Sequence, residues 1–452
     1  MIDVQEEKNI HSANFQQFER ELSPTRALSK GIHSVRKAAL KRFTELGFPT
    51  LRHEDWRFTN VASLAKIPFK LATPDESKAV TAAAVEQASF QVGTSHRLVF
   101  VNGFYEPRLS SLQKLAAGVT VGSLAMVMES QPEWIESHLA KYAGFQNQAF
   151  TALNTAFIHD GAFVSIPKGK IIEEPIYLLF LTTSDGEGSV AHPRNLILVG
   201  ENSQVKVVEA YVGLEEEAYF TNAVTEVLAG ENAFIDHYKL QRESKEAFHV
   251  ATLQVQQNRS SNFSTHYVGL GGALVRNEIR AVLDGEGCET TINGLYMAGG
   301  RQHMDNHTVL DHARPHCASH ELYKGILDGK AHGVFNGKIF VHQDAQKTDA
   351  KQTNQTLLLS EDAVINTKPQ LEIYADDVKC THGATVGQLD EEGIFYLRTR
   401  GIGLEQAKNL LTFAFANAVI ERIKIEPLRN QLERELLAMH QLPKASEATE
   451  VP

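Results

Sequence analysis

Cysteine is scarce. The 452 residues hold three, Cys288, Cys317 and Cys380, an odd number and widely scattered. That is a poor disulfide framework and fits a reducing compartment. A single chain also cannot build a four-thiolate metal site. Long apolar runs are missing, so no segment is expected to cross a bilayer. The opening "MIDVQEEKNIHSANFQQFEREL" is polar and acidic. It has neither the basic-then-apolar order of a secretory signal nor the arginine content of a transit peptide, and the expected compartment is the cytoplasm.

Positive charge is also in deficit, at a net −11. Non-specific attraction to phosphate backbones is disfavoured, and no basic patch stands out, so neither nucleic acid nor membrane is an expected partner. The familiar catalytic motifs are absent as well. The nearest approach to a phosphate-binding loop, "GVFNGKI", is one residue short and ends in Ile339. "GLGGALV" from Gly269 lacks the third glycine and the strand–helix setting of a dinucleotide site. No H-E-x-x-H, C-x-x-C or G-x-S-x-G occurs. ATP and nicotinamide binding by a standard route are therefore not expected.

What is present is an ordinary globular composition, 42% apolar and 22% charged. The length calls for two or three structural parts. The first, residues 1–156, reads as mostly helical. In "LSPTRALSKGIHSVRKAALKRFTELGFPT", Ser23 and Pro24 suit a helix start, and Leu28, Val35, Ala39, Phe43 and Leu46 recur at helical spacing. Gly47 and Pro49 end it. "HRLVFVNGFYE" reads as two short strands about an Asn102-Gly103 turn.

Residues 157–400 change texture. Short strand-like segments such as "PIYLLFLTT", "QVKVVEAYV" and "FHVATLQVQQ" follow one another with no long helix between. Their turns echo each other: "GENSQVKV" at Gly200, "GENAFIDH" at Gly230, more loosely "GEGCETTI" at Gly285. Such turn-then-strand units fit a β-solenoid, in which each unit buries its face against its neighbours; a sandwich of the same strands is the competing reading. Residues 401–452 return to helix. Leu404, Ala407, Leu411, Ala414, Ala418 and Val419 form one stripe, and Leu428, Leu432, Leu436 and Met439 a second. The tail "PKASEATEVP" reads as disordered. The stripes serve either to pack on their own chain or to dock a partner.

Two constellations carry ligand chemistry. "HMDNHTVLDHARPHCASH" holds His303, Asp305, His307, Asp311, His312, His316, Cys317 and His320. These are transition-metal donors, but the spacing matches no zinc pattern and a strand would scatter them over both faces. His312 is the member to follow. In "YADDVKCTHGATVGQ", Cys380 and His382 stand two apart on a strand, so both aim at one face. That is half a metal site, and on spacing alone inert burial is the stronger reading. Any further ligands would have to come from elsewhere, such as another subunit.

The stretch "PQLEIYADDVKCTHGATVGQLDEEGIFYLRTRGI" resembles the C-terminal signature of the SufB/SufD family of iron–sulfur cluster assembly proteins. "LGFPTLRHEDWRFTN", "LNTAFIHDGAFVSIPKG" and "YKGILDGKAHGVFNGKIFVHQDAQKTDAKQTNQTLLLS" agree along nearly the whole chain. Gly383 to Gly387, after the histidine, is similar to the SufD branch rather than to the "EATTSK"-like run of the SufB branch. The resemblance implies a right-handed parallel β-helix core with an N-terminal helical region and a C-terminal helical domain. It further implies pairing with SufB through the β-helix, binding of the ATPase SufC through the C-terminal helices, and homodimers when alone. It implies no catalysis by this chain, which would be needed for iron acquisition by the scaffold. His382 then corresponds to an interface histidine implicated in holding iron or a transient cluster shared with SufB, and Cys380 to its neighbour. No cofactor is expected on the isolated chain. Leu404, Ala407, Leu411, Leu428 and Leu432 would lie on the SufC side. His312, Cys317 and Cys288 receive no role. A carbohydrate-active β-helix enzyme and a histidine-rich metal-binding protein are the alternatives.

Overall fold

The computed structural model describes residues 15–18, 29–67, 69–73, 79–90, 95–183 and 188–439. Ser23, Pro24 and Leu28 lie outside them, as does the tail from 440. The first long helix runs Lys30–Leu46. Ser29 caps it by accepting from the Ile32 amide at 3.3 Å, and Gly47, at φ 65°, turns the chain out. Its buried face, Ile32, Arg36, Ala39 and Phe43, packs beside the helix Ala149–Ala156. Arg36 Nε donates to the Ala156 carbonyl at 3.2 Å. The expected hairpin is there: His96–Val101 pairs antiparallel with Phe104–Tyr105 about Asn102 and Gly103, both at positive φ.

The centre is a parallel β-solenoid of about eight turns, not a sandwich. Successive strands alternate between two sheets, and each pairs in parallel with the strand one coil earlier. Gln204 registers with Phe234, Phe234 with Asn262, Asn262 with Glu289 and Glu289 with Ala318. The echoing turns are one stacked corner: Asn202 and Asn232 take φ 53° and 54°, which asparagine tolerates. Asn232 Nδ2 donates to Asn202 Oδ1 at 3.1 Å. Sequence repetition thus becomes spatial stacking.

Inside, alternate residues of both sheets fill the lumen. Phe100, Phe180 and Tyr211 stack at ring spacings of 4.8 Å. Further along, Tyr323 lies against Gly294 and Tyr296 against Gly325, positions where a Cβ would collide with the ring. Outside, the N-terminal helices cover one sheet through Trp56, Phe150, Phe220 and Phe248. The C-terminal helices Leu404–Ile420 and Glu426–Met439 fold back over the other, burying Val419, Ile420, Leu428, Leu432 and Leu436 against Leu240, Val268, Leu295 and Ile326. Among the described residues, no helix is long and apolar enough to cross a membrane.

Candidate functional site at the open end of the solenoid

The last coil consists of Val364–Ile373 in one sheet and Lys379–Gly387 in the other. Each pairs on one side only, with His332–Val341 and Asp349–Leu358. The other edge of each strand is unpaired among the described residues, a row of backbone donors and acceptors suited to a further chain. Val364, Ile373, Tyr374 and Val386 add exposed apolar surface there.

Cys380 registers with Ala350 and His382 with Gln352. Ala350 and Gln352 are both buried, and Ala350 belongs to the lumen core. By register, then, Cys380 and His382 top two neighbouring inward-facing columns, at the mouth of the lumen. Cys380 is half-buried and packs on that core, and burial pushes its thiol up, keeping it protonated at neutral pH. His382 is exposed. The two donors sit co-facially on a rim, but no group of three or more metal-ligating side chains forms among the described residues. Two side chains are fewer than the four ligands of a closed tetrahedral metal site.

The other histidine-rich stretch is dispersed by its strand, His303–His312. His303 Nε2 meets Thr59 Oγ1 at 2.9 Å, while Asp305 takes Arg276 Nη1 at 2.5 Å and His307 Nε2 at 3.0 Å. Arg276 in turn lies 3.8 Å from the Trp56 ring centroid, so this cluster fastens the N-terminal region to the sheet. The guanidinium holds the Asp305 carboxyl far below the usual range, against the opposing effect of burial. His312 points inward, fully buried, with Nε2 2.9 Å from Ser319 Oγ; burial pushes its imidazole down to about 4, so it stays neutral. Asp311 pairs instead with His342 at 2.8 Å. Cys288 and Cys317 stack on consecutive coils, buried.

The helical residues divide differently from the stripe read in the sequence. Ala407, Leu428 and Leu432, read as lying on the SufC side, are buried in the chain's own packing; Leu411 is half-buried. Leu404 is exposed, and so are Phe395 and Tyr396 on the helix Glu391–Thr399, none of whose residues is buried. Phe395 and Tyr396 escaped the sequence reading because they lie before the long stripe. Two exposed aromatics within "EEGIFYLRT" were the available signal.

A parallel β-solenoid, clothed by helices on both sheets and ending in an open coil with a cysteine–histidine pair, is the class these features define. Residues 180–415 match the SufBD core domain of the SUF system for FeS cluster assembly, and residues 8–178 match the SufBD protein N-terminal region. The chain belongs to the SufBD family. It is 37% identical to an iron–sulfur cluster assembly SufBD family protein of Synechocystis, over 88% of this chain and 89% of that one. It is 33% identical to the iron–sulfur cluster assembly protein SufD of Escherichia coli (87% and 89% covered) and 25% identical to that of Bacillus subtilis (89% and 92%).

Proposed function

We propose that this chain is the SufD-type, non-catalytic subunit of an iron–sulfur assembly scaffold. Its open coil pairs with SufB, and its exposed C-terminal helical surface, Leu404 with Phe395 and Tyr396, receives SufC. His382 and Cys380 form this subunit's side of a site at the SufB junction, where iron or a nascent cluster is held as cargo. In the absence of SufB, a second copy occupies the same edge.

One observation carries the reading. Two soft or borderline donors stand co-facially on the last coil, whose strands lack a further neighbour among the described residues. An imidazole and a thiol there are too few to complete a site, and edge pairing would bring in a second chain beside them. Burial raises the Cys380 thiol, so as a ligand it must lose a proton on metal binding. The lack of a phosphate-cradling loop fits a division of labour in which ATP is handled by the partner.

The test is iron and acid-labile sulfide per complex, purified anaerobically with SufB and SufC, for wild type and His382→Ala at equal subunit stoichiometry. Loss of most of both from an intact complex is expected. Unchanged content would sink the assignment of His382.

A further inference from the structure

One inward column runs up to the open rim. Ile292, Glu321, Gln352 and His382 follow each other by register, one per coil. Two members are polar and buried: Glu321 is 4% exposed and Gln352 is 2% exposed. Gln352 Nε2 donates to Glu321 Oε2 at 2.7 Å. The amide also lies against Gly337 of the facing sheet, where a Cβ would strike it, so the glycine leaves room for the side chain to cross the lumen. The remaining amide atom, Gln352 Oε1, is buried with no hydrogen-bond partner among the described residues. The next residue along the column is the imidazole of His382, one inter-strand spacing away, about 4.8 Å between backbones.

Gln352 Oε1 is one of several buried polar atoms without a partner among the described residues, and by register it belongs to the residue directly below the rim histidine. An imidazole that binds metal through one nitrogen almost always donates its other N–H to a fixed oxygen, which sets both tautomer and ring orientation. We propose that Glu321 and Gln352 are positioning residues for His382. Glu321 fixes the Gln352 amide, and Gln352 Oε1 accepts the N–H of one His382 ring nitrogen, leaving the other bare toward the subunit junction. The proposal rests on the reading of His382 given above. Burial pushes the Glu321 carboxyl up to about 7. Near neutral pH the uncharged acid is thus well populated, and glutamine is its close mimic.

The experiment reads two signals. In protein labelled with 15N at histidine, the His382 ring shifts, assigned by their loss in His382→Ala, report its tautomer. Iron and sulfide per SufB- and SufC-containing complex report the cargo. Wild type is expected to show one tautomer. Gln352→Met, which keeps the shape and removes the acceptor, should give a mixture and about a tenfold loss of iron retained after desalting. Glu321→Gln should preserve both signals, and Glu321→Met should lose both. A single tautomer and full iron in Gln352→Met would overturn the proposal, even with His382→Ala still depleted of iron. If Gln352→Met does not fold, Glu321→Met decides the matter by the same two signals. If His382→Ala keeps its iron, the functional reading of His382 fails, and the tautomer measurement alone decides the hydrogen bond.

Discussion

The two ends of the solenoid are built on opposite principles. At the early end, two buried charged networks are densely hydrogen-bonded within the chain. Arg194 and Glu226, both 0% exposed, pair at 2.6 Å. Arg194 also donates to Asn154 and Thr155, and Glu226 accepts the backbone amides of Ala140, Tyr142 and Ala143. Asp160 likewise takes the Ser123 hydroxyl and the Tyr105 amide. Antiparallel strands, Thr120–Ser123 beside Ala162–Ile166 and Ser111–Leu112 beside His96–Val101, flank the first coils. At the late end the final strand is largely exposed, and its outer edge is unpaired among the described residues. A solenoid needs its core covered at both ends. This one is sealed from within at one end, while at the other its features fit a seal supplied by another chain.

The largest expected effect lies at the sealed end. Arg194→Met strands Glu226 in the interior, and losing one member of such a pair costs about 3–5 kcal/mol. Chemical denaturation of the isolated chain measures it. Adding Glu226→Leu should not restore stability, because three backbone amides then lose their acceptor. A cost below about 1 kcal/mol would break the contrast between the ends.

The second effect is a pH dependence from the column beneath the rim. Glu321 has its carboxyl raised by burial to about 7, from an ordinary value of 4.5. The folded state therefore prefers the proton. The contribution is complete below about pH 4.5 and is lost as pH rises through about 7, by up to roughly 3 kcal/mol at 1.4 kcal/mol per unit. Glu321→Gln should match wild type near pH 5 and exceed it at pH 8. Equal stability of the two proteins at pH 8 would show that Glu321 ionises there freely and is not closed off from water.

Much of this contrast was legible in the sequence, and the rest was hidden for identifiable reasons. The echoes at Gly200 and Gly230 marked a repeating corner, because a positive φ at Asn202 and Asn232 restricts the residues that fit. Strand alternation could not separate solenoid from sandwich, since both bury every second residue. The co-facial Cys380 and His382 followed from spacing alone. That they top inward-facing columns did not, because Glu321 and Gln352 lie 61 and 30 residues earlier and meet only through register. The helix stripe from Leu404 misled for a different reason. Ala and Leu occur around much of Leu404–Ile420, and which face is buried is decided by the sheet it covers: Thr412 and Ala416 went in, Leu404 and Ala414 stayed out.

The smallest expected effect is the most discriminating. His312 and His382 both looked like metal-ligand candidates, yet they lie on either side of the contrast. His312 is enclosed and bonded to Ser319, so His312→Ala leaves a buried hydroxyl without its partner and should cost about 1–3 kcal/mol. Cargo in complexes that do assemble should be unaltered. His382 stands at the uncovered rim of the isolated chain, where water can take its place on Gln352 Oε1, and His382→Ala should cost no more than about 1 kcal/mol. Paired denaturation curves with iron analysis of the complexes separate the two. A large stability loss in His382→Ala would make it an architectural residue like His312, and any loss of iron in that variant would then follow from a damaged rim rather than a missing ligand.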